Sequence, residues 1–498
     1  MLKRHIIAAT LLLVSASSAA LSAATQEEAD RIKASLQSYL GSETGVVAVA
    51  AQGDDYVVTL DATPYIAKAS TPGLTAKVDP VVLTLRPKGN GQWDVSQSGP
   101  FALSFAVDGA MSMDAKIASQ QWTGVFDEAS ASFLSSSYDY KGITLNQVIN
   151  DPSTKMKTTT ASAYEGWSGS STATPRPDGA IDGSSTMTLT GITSASKSEL
   201  PPDAMAAGMP SFDYTLLNAK TEYVTTGKGV KSKAILDLLA WFVAHPAKEL
   251  IVKDQAQLKE KVLAALPLWE QIDSTANMEQ TSVATAYGQF AVPTASVGVT
   301  MNGLSKEGKL REAFGFTGLT IPPGIAPPWT DGLIPADFNL DFTVDGVDLE
   351  TPVRMFVAQA DLSKEPPIPA GSEMAYLPAF APKMSVGLNF QKGLIASPVY
   401  NISYDANVVI GFMGVPTGTA NIRMKGLDEV IAKVQAAATS DPTAQQAMGG
   451  LVAFKGFGKA EPDGTIVWAI DVTQPGKVLI NGIDVAPMMG MAAPPPQP

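Results

Sequence analysis

Phe101-Ala102-Leu103-Ser104-Phe105-Ala106-Val107, then Asp108-Gly109, then, past Ala110, Met111-Ser112-Met113-Asp114-Ala115-Lys116-Ile117: in this stretch the large apolar side chains fall on every second residue. A period of two places Phe101, Leu103, Phe105 and Val107 on one face of a strand, with smaller residues on the other. The second run repeats the arrangement, with Met111, Met113, Ala115 and Ile117 opposed to Ser112, Asp114 and Lys116. Asp-Gly between two alternating runs predicts a β-hairpin, closed by a type I′ turn because both residue types tolerate positive φ. The apolar face of this hairpin is expected to be buried, so that Phe105→Ala should cost roughly 3–5 kcal/mol as a core truncation and Ser104→Ala almost nothing.

The same alternation recurs at Met384 to Phe390, Tyr400 to Val408 and Ala420 to Met424. Strands with one apolar and one polar face belong to antiparallel sheets with a wet side. Between them the period becomes helical. Thr25-Gln26-Glu27-Glu28 reads as a capping box ahead of Ile32, Leu36 and Leu40, with Gly41 as the stop. Lys233 to Ala244 predicts a helix ending at His245-Pro246, and a second helix follows from Lys248 to Leu266. Leu427 to Ala438 predicts another, and Asp441-Pro442 opens its companion, which runs to about Phe454. The expected fold is α+β, mostly antiparallel β, with two helix pairs. Ser168 to Ser185, Ile321 to Pro328 and Lys364 to Pro369 read as loops.

Each half runs strands, helix, break, helix, strands, and closes on Asn302-Gly303-Leu304 or Asn481-Gly482-Ile483. This order suggests two duplicated β-rich modules, residues 25–305 and 306–486. Residues 487–498 read as a disordered tail of Met, Ala and Pro. At the other end Lys3 and Arg4 precede the apolar run Ile6 to Val14, and small residues lead to Ser22-Ala23-Ala24. That is the pattern of a signal peptide, residues 1–24, cleaved before Thr25 to leave a periplasmic chain without a transmembrane helix.

There is no cysteine, so an exported chain of 498 residues and 45% hydrophobic composition has to rest on its packed core. The formal net charge is −13, and −15 once Lys3 and Arg4 are removed, which repels phosphate backbones and argues against nucleic acid as a partner.

Chemistry is hard to place. His5 leaves with the signal, and His245 sits where an imidazole meets the negative end of a helix. A zinc site of His and Cys cannot be assembled. Gly166-Trp167-Ser168-Gly169-Ser170 lacks the last glycine of a nucleophile elbow, and Ser194-Ala195-Ser196-Lys197 lacks the companion motifs of a Ser-x-x-Lys enzyme. Gly227-Lys228-Gly229 and Gly456-Phe457-Gly458-Lys459 begin phosphate-loop patterns without completing them. Asp337, Asn339 and Asp341 alternate along a strand, which spreads ligands too far apart for calcium. No catalytic, cofactor-binding or metal residue is nominated, and no cofactor is expected.

Leu333-Ile334-Pro335, Gly426-Leu427-Asp428, Asp463-Gly464-Thr465 ahead of Trp468, and the closing run Gly476 to Gly482 give the C-terminal half a family likeness. It resembles the exported Gram-negative family called domain of unknown function 2125. Lys261 to Leu268 and the same closing strand are similar, more distantly, to family 945 of the envelope. The resemblance implies an envelope location and a long β-architecture, with no catalytic residue to carry over.

Three readings follow. The first is a non-enzymatic binding or envelope-maintenance protein whose sheets hold an apolar or lipidic ligand, or a protein partner. The second is a periplasmic hydrolase with an unconventional Ser or Asp site. The third is an outer-membrane-associated structural protein.

Overall fold

The computed structural model describes residues 23–68, 73–203, 211–368, 371, 373–412, 414–474 and 476–489. The expected signal peptide, apart from its last two residues, and the tail beyond residue 489 lie outside the described residues. The described chain is α+β and mostly antiparallel β, as the alternation predicts. It divides into two compact units: residues up to Ala286 together with Arg354–Pro369, and Tyr287–Val353 together with the chain from Ala370.

The first unit begins with α1 (Gln26–Leu40), β1 (Val47–Gln52), β2 (Asp55–Leu60), α2 (Thr63–Lys68), β3 (Leu74–Val78) and β4 (Val81–Gly89). Six long strands follow: β5 (Gln92–Val107), β6 (Met111–Asp127), β7 (Ser132–Asn150), β8 (Lys157–Pro175), β9 (Ile181–Glu199) and β10 (Tyr214–Val230). After α3 (Ser232–Ala244), α4 (Lys248–Lys253) and α5 (Gln255–Ala265), β11 (Gln271–Thr285) returns to pair with β10. All pairings are antiparallel: β1 with β2, β2 with β4, then each strand from β4 to β11 with the next. β3 lies along the second half of β5.

The hairpin at Asp108-Gly109 forms in the expected register, with Phe105 opposite Met113 and Leu103 opposite Ala115. Its turn differs. Val107 pairs with Met111, Ala110 N–H donates to Val107 O at 3.0 Å, and of Asp108 and Gly109 only the glycine has positive φ, +70°. Positive φ at the second central position alone marks a type II turn rather than type I′.

Helix α1 starts as predicted, with Thr25 Oγ1 accepting from Glu28 N–H at 3.3 Å. The capping box is only half closed, because Glu28 turns to Arg31 and Thr25 N–H donates to the Tyr56 hydroxyl instead. Ala29, Ile32 and Leu36 of this helix are buried against Val47, Val58, Leu85, Val95 and Phe126. Each such side chain contributes on the order of 1.5–3 kcal/mol. This packed core occupies only the α1 end of the sheet.

The stretch Ser168 to Ser185 is not a loop. Its first part completes β8 and its last part opens β9, leaving only residues 176–180 as the turn. Serine and glycine mislead here, because pairing along both edges overrides their turn preference, and cross-strand hydroxyl pairs such as Ser170 with Thr186 at 3.2 Å and Thr172 with Ser184 at 3.1 Å bridge the strands. The single helix expected over Lys248 to Leu266 is broken at Asp254 into α4 and α5.

The second unit contains β12 (Gly288–Asn302), β13 (Gly308–Thr317), β14 (Asp337–Val347), the start of α6 (Glu350–Gln359), α7 (Glu373–Phe380), β15 (Ser385–Ala396), β16 (Asn401–Gly411) and β17 (Thr417–Lys425). It ends with α8 (Leu427–Ala438), α9 (Pro442–Gly456), β18 (Lys459–Ala460), β19 (Ile466–Asp471), β20 (Leu479–Ile480) and β21 (Ile483–Asp484). β12 to β17 pair in sequence, and β19 adds to β17. Asp441 caps α9 as expected, accepting from Thr443 N–H at 2.8 Å. The helix pair α8–α9 buries Val430, Val434 and Ala444 against Met424, Ile466 and Trp468.

The division between units falls at Ala286, ahead of the expected boundary at residues 305 and 306. β12 and β13 pair with each other, and β13 with β14, so the strands flanking Asn302-Gly303 belong to the second unit. Asn302-Gly303 therefore does not close the first unit as Asn481-Gly482 closes the chain's last strands. The segment after α6 returns to the first unit, where Leu362 N–H donates to Gln255 Oε1 at 3.0 Å. No helix among the described residues is long and apolar enough to cross a membrane.

Candidate apolar binding face

Register carries one face of the first unit's sheet across seven strands. Phe101 of β5 lies opposite Ile117, Ile117 opposite Ile143, and Ile143 opposite Tyr164. One row further, Gln120 is followed by Tyr140, Trp167, Leu189, Thr221 and Met278. The next row runs Trp122, Tyr138, Gly169, Met187, Tyr223 and Ala276. This is the inner face, the side on which α1 packs further along.

A single uninterrupted strand could not present these rows on one face, because the alternation would separate Ile117 from Gln120. In every strand from β6 to β11 it slips once. Ala118 and Ser119, Lys141 and Gly142, Glu165 and Gly166, Thr190 and Gly191, Ala219 and Lys220, and Glu279 and Gln280 are consecutive residues on the outer side. The slips lie at one level, so Lys141 still pairs with Gly166, Gly166 with Thr190, and Thr190 with Lys220. The result is a crease running across the strands. Gly142, Gly191 and Gln280, in alternate strands, take φ of +62°, +58° and +51° there. Asn218 and Thr221 flank the crease in β10 and are 6% and 5% exposed. Thr221 Oγ1 donates to Asn218 Oδ1 at 2.8 Å, and Asn218 Nδ2 donates to Thr281 Oγ1 at 2.8 Å, which pins β10 to β11.

From β5 to β11 the inner face carries no Asp, Glu, Lys or Arg. Charges in these strands stand on the outer side, including Asp114, Lys116, Lys141, Glu165 and Lys197. Several serine and threonine hydroxyls inside pair with one another: Ser136 with Ser171 at 2.7 Å, Ser162 with Ser194 at 2.9 Å, Thr225 with Ser274 at 3.1 Å. Paired hydroxyls lose less than free ones when water is displaced from them.

The apolar side chains of this face are half-buried rather than buried. Phe101, Leu103, Phe105, Met113, Ile143 and Leu145 all stand outside the packed core, whereas Trp93, Val95 and Phe126, near α1, are within it. Among the described residues, each of β6 to β10 makes its substantial contacts with its two ladder neighbours, and no helix makes substantial contact with them. Tyr138, Tyr140 and Trp167 cluster on the face with centroids 5.3–5.9 Å apart. Burial pushes the hydroxyl pKa values of Tyr138 and Tyr140 up. A depression of about 300 Å³ lies elsewhere, on the polar side of β5 and β6 beside Lys77, Ser104 and Asp114.

The residues weighed for chemistry are not brought together. His245 stacks on Trp241 with centroids 3.8 Å apart, its Nδ1 is 2.7 Å from Trp241 O, and its Nε2 is 3.1 Å from Asp254 Oδ2. Ser194 points inward to Ser162 while Lys197, three residues on, stands on the other face of β9. Ser168 sits in mid-strand, paired with Asp139 and Thr188, not in a strand-to-helix turn. Asp341 is held by Arg311, with Nε 2.8 Å from Oδ1, and Asp337 accepts from Gly318 N–H at 2.9 Å. Among the described residues no three His, Cys, Asp or Glu side chains are grouped as metal ligands would be.

Comparison with protein-family models, curated proteins and solved structures finds no match.

The hairpin residues Phe101 to Ile117 pointed to this face from the sequence, but Tyr138, Tyr140, Trp167, Leu189 and Tyr223 did not. Their signal is an alternation that changes phase once within each strand, visible only after the strands are aligned.

Proposed function

We propose that the chain is an exported, non-enzymatic binding protein of the bacterial envelope, working in the periplasm, that holds an apolar, lipidic ligand against the inner face of the first unit's sheet. One observation carries the reading: among the described residues, the inner face has no charged side chain across seven strands, and most of its apolar side chains are half-buried rather than packed in a core. Single exposed apolar residues are ordinary on protein surfaces, whereas contiguous patches mark binding sites. Covering such a face recovers about 25 cal/mol for each Å² of apolar surface removed from water. Several serine and threonine hydroxyls on the face already pair with one another, which lowers the cost when a hydrocarbon displaces water from them. The signal-like residues 1–24 and the resemblance to exported envelope families support the location.

The test is native mass spectrometry of the chain expressed with its first 24 residues intact and recovered from the periplasm without detergent. The reading expects lipid masses bound to a chain beginning near Thr25. A lipid-free chain that also fails to take up an apolar fluorescent probe would overturn the binding role. A cytoplasmic chain retaining Met1 would overturn the location.

A further inference from the structure

Within the inner face the apolar rows run across the strands, not along them. The row from Phe101 through Ile117 and Ile143 to Tyr164 and the two aromatic rows beyond the crease form a band. Hydroxyl-rich residues border this band on both sides in the later strands: Ser162 and Ser194 on one, Ser171, Ser185 and Thr225 on the other. From β5 to β11 the band crosses six interstrand steps, roughly 29 Å at about 4.8 Å each. A bilayer's hydrocarbon core, which two acyl chains span end to end, is about 30 Å thick.

We propose that this band is a track for long acyl chains, which lie across the strands along the crease, with room for two chains in line. The proposal rests on the binding role argued above and names its ligand class. Three features favour a hydrocarbon over a peptide. The face has no charge to pair with side chains. Several of its serine and threonine hydroxyls are engaged with each other. The strand backbones are already bonded to their neighbours within the sheet, so an extended peptide laid on the face would leave its own N–H and C=O groups unsatisfied.

A track and a simple greasy patch differ in how binding depends on chain length and on distant strands. The experiment titrates the full-length mature protein with lysophosphatidylcholines of eight to eighteen carbons, some brominated to quench tryptophan. On a track, affinity rises by up to about fourfold per added methylene through the longest chains. Quenching by bromine near the chain end falls when Trp122 and Trp167 are both replaced by Phe. Leu189→Lys, on the track in β9, removes the gain for sixteen and eighteen carbons and spares eight. Thr188→Lys, the adjacent residue on the outer face, changes nothing. Met187→Ser serves as the milder variant if Leu189→Lys does not fold.

Affinity that stops rising beyond about ten carbons, or that ignores both β9 track variants, would overturn the track while leaving the binding role standing. Failure of the folded protein to bind any of the probes would overturn both. So would light scattering showing a dimer that Leu189→Lys dissolves, since a second copy would then be the cover.

Discussion

Phe105→Ala separates an open face from a closed core by its cost. Phe105 lies opposite Met113 on one side and Ala76 on the other, half-buried and outside the packed core. Fully burying a phenylalanine contributes about 1.5–3 kcal/mol, and removing this one leaves no enclosed cavity, so the expected loss is about 1–2 kcal/mol. Phe126, 0% exposed and in edge contact with Phe133 at 5.2 Å, is the control. Its truncation opens a cavity under α1 and is expected to cost about 3–5 kcal/mol. Urea denaturation followed by tryptophan fluorescence reads both as shifts in midpoint at unchanged slope. A saturating acyl ligand should stabilise wild type and Phe126→Ala alike, and Phe105→Ala less, because stabilisation follows the ligand's own affinity. Equal losses of 3 kcal/mol or more for the two variants would mean that the inner face is sealed, and the argument for a binding face would fail.

Three further outcomes follow from particular contacts. Gly142→Ala places a Cβ 2.9 Å from the Ala118 methyl at φ +62° and is expected to cost about 2 kcal/mol, against about 1 for Gly53→Ala, where φ is +63° but nothing lies nearby; thermal unfolding compares them. Glu128→Ala strips the acceptor of Trp93 Nε1–H and of Arg31, each at 2.9 Å, and should cost about 3 kcal/mol by the same assay, whereas Glu128→Gln should cost less. Hydrogen bonds from Ser153 and Thr154 hold the Asp151 carboxyl down to about 2. A lowered carboxyl stabilises its turn above the unfolded-state value and loses that contribution as pH falls through about 2. The turn at residues 151–156 should therefore remain ordered at pH 4, and its NMR shifts should move only near pH 2.

Much of the fold was legible because alternation and capping are local. The period-two runs gave β5, β6, β15, β16 and β17, Gly41 stops α1, and Asp441 opens α9. What escaped depends on neighbours. β8 and β9 are rich in Ser and Gly, whose local preference is for turns, and they hold as strands because each is paired along both edges. The crease is illegible in any one strand: Lys141-Gly142 and Thr190-Gly191 look like isolated irregularities until register sets them side by side. Burial was misjudged for the same reason. Periodicity says that Phe105 and Met113 share a face, but only the arrangement of layers says whether anything covers them.

The central claim is that the inner face of this sheet is open to an apolar ligand. It is tested most directly by a crystal structure of the mature chain recovered from cells without detergent. The account predicts elongated, branch-free density crossing the strands beside Tyr140, Trp167 and Leu189. Protein side chains packed over those residues, from this chain or another copy, would contradict it.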